Sequence, residues 1–334
     1  MLKGVHITLL IGPGLPVPAP KSVMDSLLSL KVTSGKDKSG FQLTFAVGKK
    51  SELLNTMLPA GYFDPMITRV IILVTLGGMP NVIMDGIVTH QELAPSNEPS
   101  QSTLTITGED LSVVMDVVEM NFMRYPAMPE VARLYVILAK YLFFGIVPIV
   151  IPPIPPDIPI PTREIPTHRG TDLANVNMDA LTNVESMSFS LDGLAKKIVI
   201  YTVMDPVTMK IPIPIPVPNI SILRPPLGAR LTPPAKIEFA DDGTAQSTPK
   251  AIQKILGMTF NASDAITVSG TLDVVRYGGV LRSRMLVGVR GAGLAYDGLY
   301  YVNTVTHEIK RGQYKQNFQL SRDGLISITP KVPV

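Results

Sequence analysis

Residues 85–111 read DGIVTHQELAPSNEPSQSTLTITGEDL, and residues 299–325 read LYYVNTVTHEIKRGQYKQNFQLSRDGL. Val88-Thr89-His90 in the first stretch matches Val305-Thr306-His307 in the second, and Glu92 loosely echoes Glu308. After loops of different length, Leu104, Ile106 and Leu111 match Phe318, Leu320 and Leu325. Apolar and polar residues alternate through both, which is the period of a half-buried strand, so each stretch reads as a β-hairpin closing on an acidic turn. The copies lie more than 200 residues apart, too far for a solenoid repeat. They point instead to two similar β-domains in one chain, with chance as the competing reading because VTH is only moderately specific. Thr89, His90, Thr306 and His307 mark the repeat, and the two histidines are expected to make the same cross-strand hydrogen bond in each domain.

The flanking sequence extends this pattern. VHITLLI, SLLSLKVTSG, GFQLTFAVG and TRVIILVTLG in the first third are short alternating or apolar runs broken by turn residues. In the last third AITVSGTLDVVRYG and GVLRSRMLVGVRG have the same character. Between the two β-rich parts the period changes. Thr107-Gly-Glu-Asp110 has the form of a capping box before LSVVMDVVEMNFM, and a second helix is expected from Pro129 to Gly145. The charges of that second helix fall on one stripe, so most of its surface should be covered by protein. TPKAIQKILGM is a further helix candidate.

Residues 146–166 and 211–218 alternate Ile or Val with Pro. Proline fixes φ and lacks a donor, so these strings should be extended or edge segments. They read either as stiff connectors or as apolar strips docked on another subunit. Phe143, Phe144, Ile149, Ile151, Ile154, Ile213, Ile215, Tyr300 and Tyr301 are the candidate partner-facing residues, and the loops 51–66 and 94–102 are candidates for neighbour contacts. The expected fold class is a β-rich α+β protein with two similar small antiparallel β-barrel domains. The expected divisions are 1–107 for the first barrel, 108–180 for a helical and Pro/Ile-rich insertion, 181–240 for a β or extended connector, and 241–334 for the second barrel.

Composition narrows the function. The chain has 334 residues, no Cys and no Trp, and 30 basic against 27 acidic side chains leave a net charge of +3. Without Cys there is no disulfide framework, thiolate metal site or Cys nucleophile. The balanced charge argues against bulk nucleic-acid binding. Charged residues make up 17% and mean hydropathy is +0.27, which suits a chain that hides surface in partners. The apolar run 141–156 is too short and too rich in proline to span a bilayer as a helix, and membrane contact is not expected.

Motifs that carry chemistry are scarce. GKKS at 48–51 fails the phosphate-loop pattern, and the GxG strings at Gly12 and Gly291 lack the third glycine of a dinucleotide site. The four histidines, at 6, 90, 168 and 307, show neither i, i+4 pairing nor HExxH. No G-x-S-x-G elbow is present. No catalytic residue, cofactor or metal is assigned. Arg282, Arg284 and Arg290 read as a solvated or inter-subunit face rather than a DNA contact.

GTLDVVRYGGVLRSRMLVGVRGAGLAYDGLYYVNTVTHEIKRGQYKQNFQLSRDGL, together with DGIVTHQEL and LTITGEDLS, resembles the hub proteins of contractile tails. These are phage late control protein D, the tail hub of T-even phages and the hub half of type VI secretion (VgrG-like) spike proteins. The Gly-rich turn, the YYV-x-x-VTH strand and the closing S/T-R-x-G carry the resemblance; the Pro/Ile segments depart from it. It implies a structural baseplate protein, not an enzyme, of a phage tail or contractile injection system. It further implies a homotrimer whose six β-domains form a pseudo-six-fold ring joining tail tube to three-fold spike. The implied partners are a separate spike protein, an inner tube protein and other baseplate components, with cargo or tape-measure protein in the lumen. Assembly would be in the bacterial cytoplasm, before incorporation into the particle. A spike on a separate chain is expected because no further β-repeats follow residue 334. The alternative is a membrane-surface or cell-wall-targeting module of the same particle that recruits a hydrolase.

Overall fold

Thr68, Val70, Ile72, Val74 and Leu76 are buried and the residues between them are half-buried, as a period of two requires when one sheet face meets a core. The computed structural model describes residues 4–35, 38–98, 101–115, 128–142, 146, 173–175, 182–204, 212–217, 226–239 and 264–328. The protein is a β-rich α+β chain that divides into two units. Unit one comprises residues 1–152, 274–280 and 306–316; unit two comprises 153–273, 281–305 and 317–334.

In chain order unit one contributes β1 (His6–Pro13), β2 (Val17–Pro18), helix α1 (Lys21–Ser26), β3 (Leu27–Ser34), β4 (Gly40–Ala46), β5 (Thr68–Leu76), β6 (Met79–Ala94), β7 (Thr103–Asp110) and helix α2 (Glu130–Ala139). Its neighbour order is β2-β1-β5-β6-β7-β4-β3, with every printed ladder antiparallel. The core is built from Leu9, Ile11, Leu30, Leu43, Phe45, Ile72, Leu104 and Ile106, joined by Ile309 and Tyr314 from the 306–316 tip and by Val274. The loop 51–66, expected to meet a neighbour, folds back into this core. It forms a π-helical turn at Leu53–Met57, and buried Phe63 lies with its ring centroid 5.5 Å from that of Phe45.

Unit two holds β8 (Leu173–Asn175), β9 (Val184–Leu191), β10 (Lys197–Met204), β11 (Pro212–Val217), β12 (Gly228–Leu231), β13 (Lys236–Phe239) and β14 (Ile266–Asp273). Later in the chain come a helical turn at Val274–Tyr277, then β15 (Leu286–Arg290), β16 (Gly298–Lys310), β17 (Gln313–Arg322) and β18 (Gly324–Ser327). The main sheet runs β15-β16-β17-β14-β9, with β8 parallel to β15.

Each unit therefore contains the same five-strand series. The strands β3, β4, β5, β6 and β7 stand in the order β5-β6-β7-β4-β3; β9, β14, β15, β16 and β17 stand in the order β15-β16-β17-β14-β9. A finer mark accompanies the series. Met66, at φ 62°, donates its N–H to the Val88 carbonyl at 2.7 Å just before β5. Arg284, at φ 64°, donates to the Val302 carbonyl at 2.8 Å just before β15. Both are non-glycine residues in the left-handed region, which is sparsely used and costs about 1 kcal/mol or more. By this mark Val88 corresponds to Val302 rather than to Val305, so the VTH echo is displaced by three residues although the hairpins are equivalent.

Several local expectations are corrected. Thr107 and Asp110 end β7 instead of capping a helix; the Asp110 carboxylate accepts from the Ser112 N–H at 3.0 Å, and a 3₁₀ turn covers Leu111–Met115. Helix α2 is shorter than expected and leaves Leu134, Tyr135 and Val136 exposed, not covered. The segment 181–240 contains β9, a strand of the second sheet, so it is not merely a connector. VVRY at 274–277 is helical because the strand before it ends at Asp273. TPKAIQKILGM and residues 116–127 lie outside the described residues.

The proline string at 212–217 forms an edge strand of a three-stranded sheet, in the order β11-β10-β13. Pro212, Pro214 and Pro216 stand opposite Met204, Thr202 and Ile200. Every N–H that β11 can donate then comes from Ile213, Ile215 or Val217. These alternate with the prolines and so face β10, while the free side of the strand has no donor at all.

Candidate assembly surfaces

Assembly surfaces in a β-protein are its unpaired strand edges and its exposed apolar side chains. In unit one the outer edge of β3 is occupied by the 306–310 end of β16. The Thr33 and Thr306 hydroxyls lie 3.2 Å apart, and Lys31 Nζ is 3.9 Å from Glu308 Oε1. The two contacts run in opposite chain directions, so the pairing is antiparallel. Arg311 Nη2 donates to the Asp25 carbonyl at 2.6 Å and ties down the turn. Beneath it His307 is buried, with Nδ1 2.8 Å from the Tyr314 hydroxyl and 3.3 Å from Gln316 Nε2.

His90 is exposed, whereas His307 is buried in this polar cluster. The expected shared hydrogen bond is not made, because the displacement of the echo puts the two side chains in unlike places. Thr89 instead donates to the Thr107 carbonyl at 3.3 Å, and Thr306 faces Thr33.

In unit two, Tyr300 and Tyr301 are buried, which corrects their assignment as partner-facing residues. The Tyr300 ring carries the Arg322 guanidinium 4.4 Å from its centroid, and its hydroxyl donates to the Tyr296 carbonyl at 2.6 Å. Burial pushes the Tyr300 hydroxyl well above the usual tyrosine range. Arg322 is fully buried and donates to three carbonyls: Nε to Gly324 at 2.7 Å, Nη1 to Asp297 at 2.9 Å and Nη2 to Ala295 at 2.8 Å. Burial holds its pKa below the ordinary arginine value. This clamp fastens the 291–298 loop to the end of β17, and the Arg in the S-R-D turn was its one visible sign in the sequence. Asp323 continues it by accepting from the N–H groups of Leu227 and Gly228, each at 3.0 Å.

Of the other partner-facing candidates, Ile213 is exposed and Ile215 half-buried on β11; Phe143, Phe144, Ile149, Ile151 and Ile154 lie outside the described residues. Arg282, Arg284 and Arg290 are all exposed, and only Arg290 lies in a strand. Among the described residues no group of three or more His, Cys, Asp or Glu is placed to hold a metal ion, and no helix is long and apolar enough to cross a membrane.

The same strand order occurs in solved structures. The chain is similar to the tail protein of Neisseria meningitidis MC58, at TM-score 0.56 and 12% identity over 97% of this chain and 98% of that one. It is similar to the 43 kDa tail protein of prophage MuSo2 from Shewanella oneidensis, at TM-score 0.57 and 13% identity over 95% and 98%. A chain of the Francisella PdpA-VgrG complex gives TM-score 0.52 and 11% identity over 99% of this chain, which spans 54% of that one. No family model matches the sequence, and no curated protein does. The chain thus has the hub-like fold shared by phage tail proteins and the type VI secretion complex.

Proposed function

We propose that this protein is the structural hub of a contractile phage tail or injection system. Three copies form a ring of six similar β-sheets that joins the six-fold tail tube to a three-fold spike. The observation that supports this reading is the five-strand series present twice in one chain, since two like units per protomer in a closed trimer give six by arithmetic. The work of such a protein is geometric and calls for no catalytic group. Its partners would be a separate spike protein, an inner tube protein and other baseplate components, around a lumen that passes cargo or tape-measure protein. It would assemble in the bacterial cytoplasm and leave as part of the particle. Exposed Leu134, Tyr135 and Val136 on α2 and Ile213 on β11 are surfaces for those partners. Native mass spectrometry of the purified chain, with electron-microscopy class averages, tests the proposal. A trimer with six similar densities is expected, and a monomer at micromolar concentration would overturn it.

A further inference from the structure

Strands β3 and β9 hold the same place in the two five-strand series, yet their outer edges differ. The edge of β3 is completed by residues 306–310. Strand β9 ends the neighbour order and, among the described residues, has a ladder only to β14. It is eight residues long, exposes Ser186, Ser188 and Ser190, and carries neither Lys nor Pro. Open edges of this length are templates for another strand and are normally blunted by charge, proline or a cover. The contrast with β11, whose free side is stripped of donors by three prolines, is direct.

The strand equivalent to β16 is β6. Its first part, through Ile87, is paired with β5, and from Val88 to Ala94 it pairs, among the described residues, only with β7. His90 to Ala94 are all exposed. In β16 the corresponding far half is the segment that covers β3. The chain therefore carries one edge without a cover and one cover without an edge, at positions its own internal repeat relates.

We infer that the far half of β6 in one copy of this chain adds antiparallel to β9 of a second copy, repeating between chains the pairing that 306–310 makes with β3 inside one. The inference deepens the ring reading and rests on it. The contact is heterologous, since each copy gives one edge and one cover, and such a contact closes into a ring when its rotation allows. Hydroxyls on β9 would meet the polar residues 89–92, as Thr33 meets Thr306. The sense of the β3 pairing sets the direction: Ser190 lies near the start of the far half and Ser186 near its end.

The native chain has no cysteine, so paired cysteines report the contact cleanly. Ser190→Cys would be combined with His90→Cys or with Gln91→Cys, and Ser186→Cys with Leu93→Cys or with Ala94→Cys; all these positions are exposed. Thr33→Cys with Thr306→Cys serves as the internal control. Under mild oxidation at least one variant of each set is expected to give a denaturant-resistant ladder that stops at three chains. If native mass spectrometry shows a trimer and the control closes, yet none of the four variants cross-links between chains, the strand pairing is wrong while the ring reading stands. A monomer throughout overturns both.

Discussion

The backbone N–H of Arg284 donates to the carbonyl of Val302 at 2.8 Å from a residue held at φ 64°. Met66 makes the same bond to Val88 from φ 62°. A branched side chain tolerates this backbone poorly, whereas glycine adopts it freely. Arg284→Val is expected to cost about 2 kcal/mol; Arg284→Gly should stay within about 1 kcal/mol of the parent, because relieved strain offsets the extra freedom of the unfolded chain. Urea denaturation compares the two, and equal midpoints would show that the left-handed backbone is not what limits the site.

Two strand glycines lie under phenylalanine rings. A Cβ on Gly108 would fall 2.2 Å from Phe41 Cζ and 2.4 Å from the Ile87 carbonyl oxygen. One on Gly270 would fall 2.7 Å from Phe318 Cζ and 2.5 Å from the Ser186 carbonyl oxygen. Gly108→Ala and Gly270→Ala are each expected to destabilise by about 3 kcal/mol, since backbone as well as ring must move. Adding Phe41→Leu to Gly108→Ala should recover only part of the loss, which thermal unfolding of the double variant would measure.

Arg322 satisfies three buried carbonyls with one fork. Arg322→Met strands those acceptors and should lower stability by about 3 kcal/mol or more. Arg322→Lys should restore less than half, because a single ammonium cannot reach all three. Proteolysis near residues 291–298 should rise in both variants, and unchanged cleavage there would refute the clamp.

The Tyr62 hydroxyl is buried, has no hydrogen-bond partner, and burial pushes its pKa up to about 12. A folded-state value above that of the unfolded chain favours the neutral form. The resulting stability is complete below pH 10 and is lost as pH rises through 12. Tyr62→Phe should match or slightly exceed the parent at pH 7 and fall less steeply between pH 10 and 12. Parallel unfolding curves for both proteins over that range would contradict this.

Much of the fold is legible from residue order. Alternation in 68–76 and 103–110 sets strand and buried face together, because a period of two leaves no other way to turn Val70, Ile72, Leu104 and Ile106 inward. The Pro/Ile alternation of 212–217 likewise dictates an edge, since a strand with a donor at only every second residue can serve one neighbour. The two-domain reading is also present in sequence, though its tripeptide marker is three residues out of register. Tertiary structure alone decides that β9 is the partner of β14 across 74 intervening residues (266 − 191 − 1), that His307 is buried while His90 is not, and that Arg322 holds three carbonyls. These depend on which distant segments meet. Local pattern specifies the shape a strand takes, but the neighbour it finds is set by the burial and hydrogen bonding of the whole chain at once.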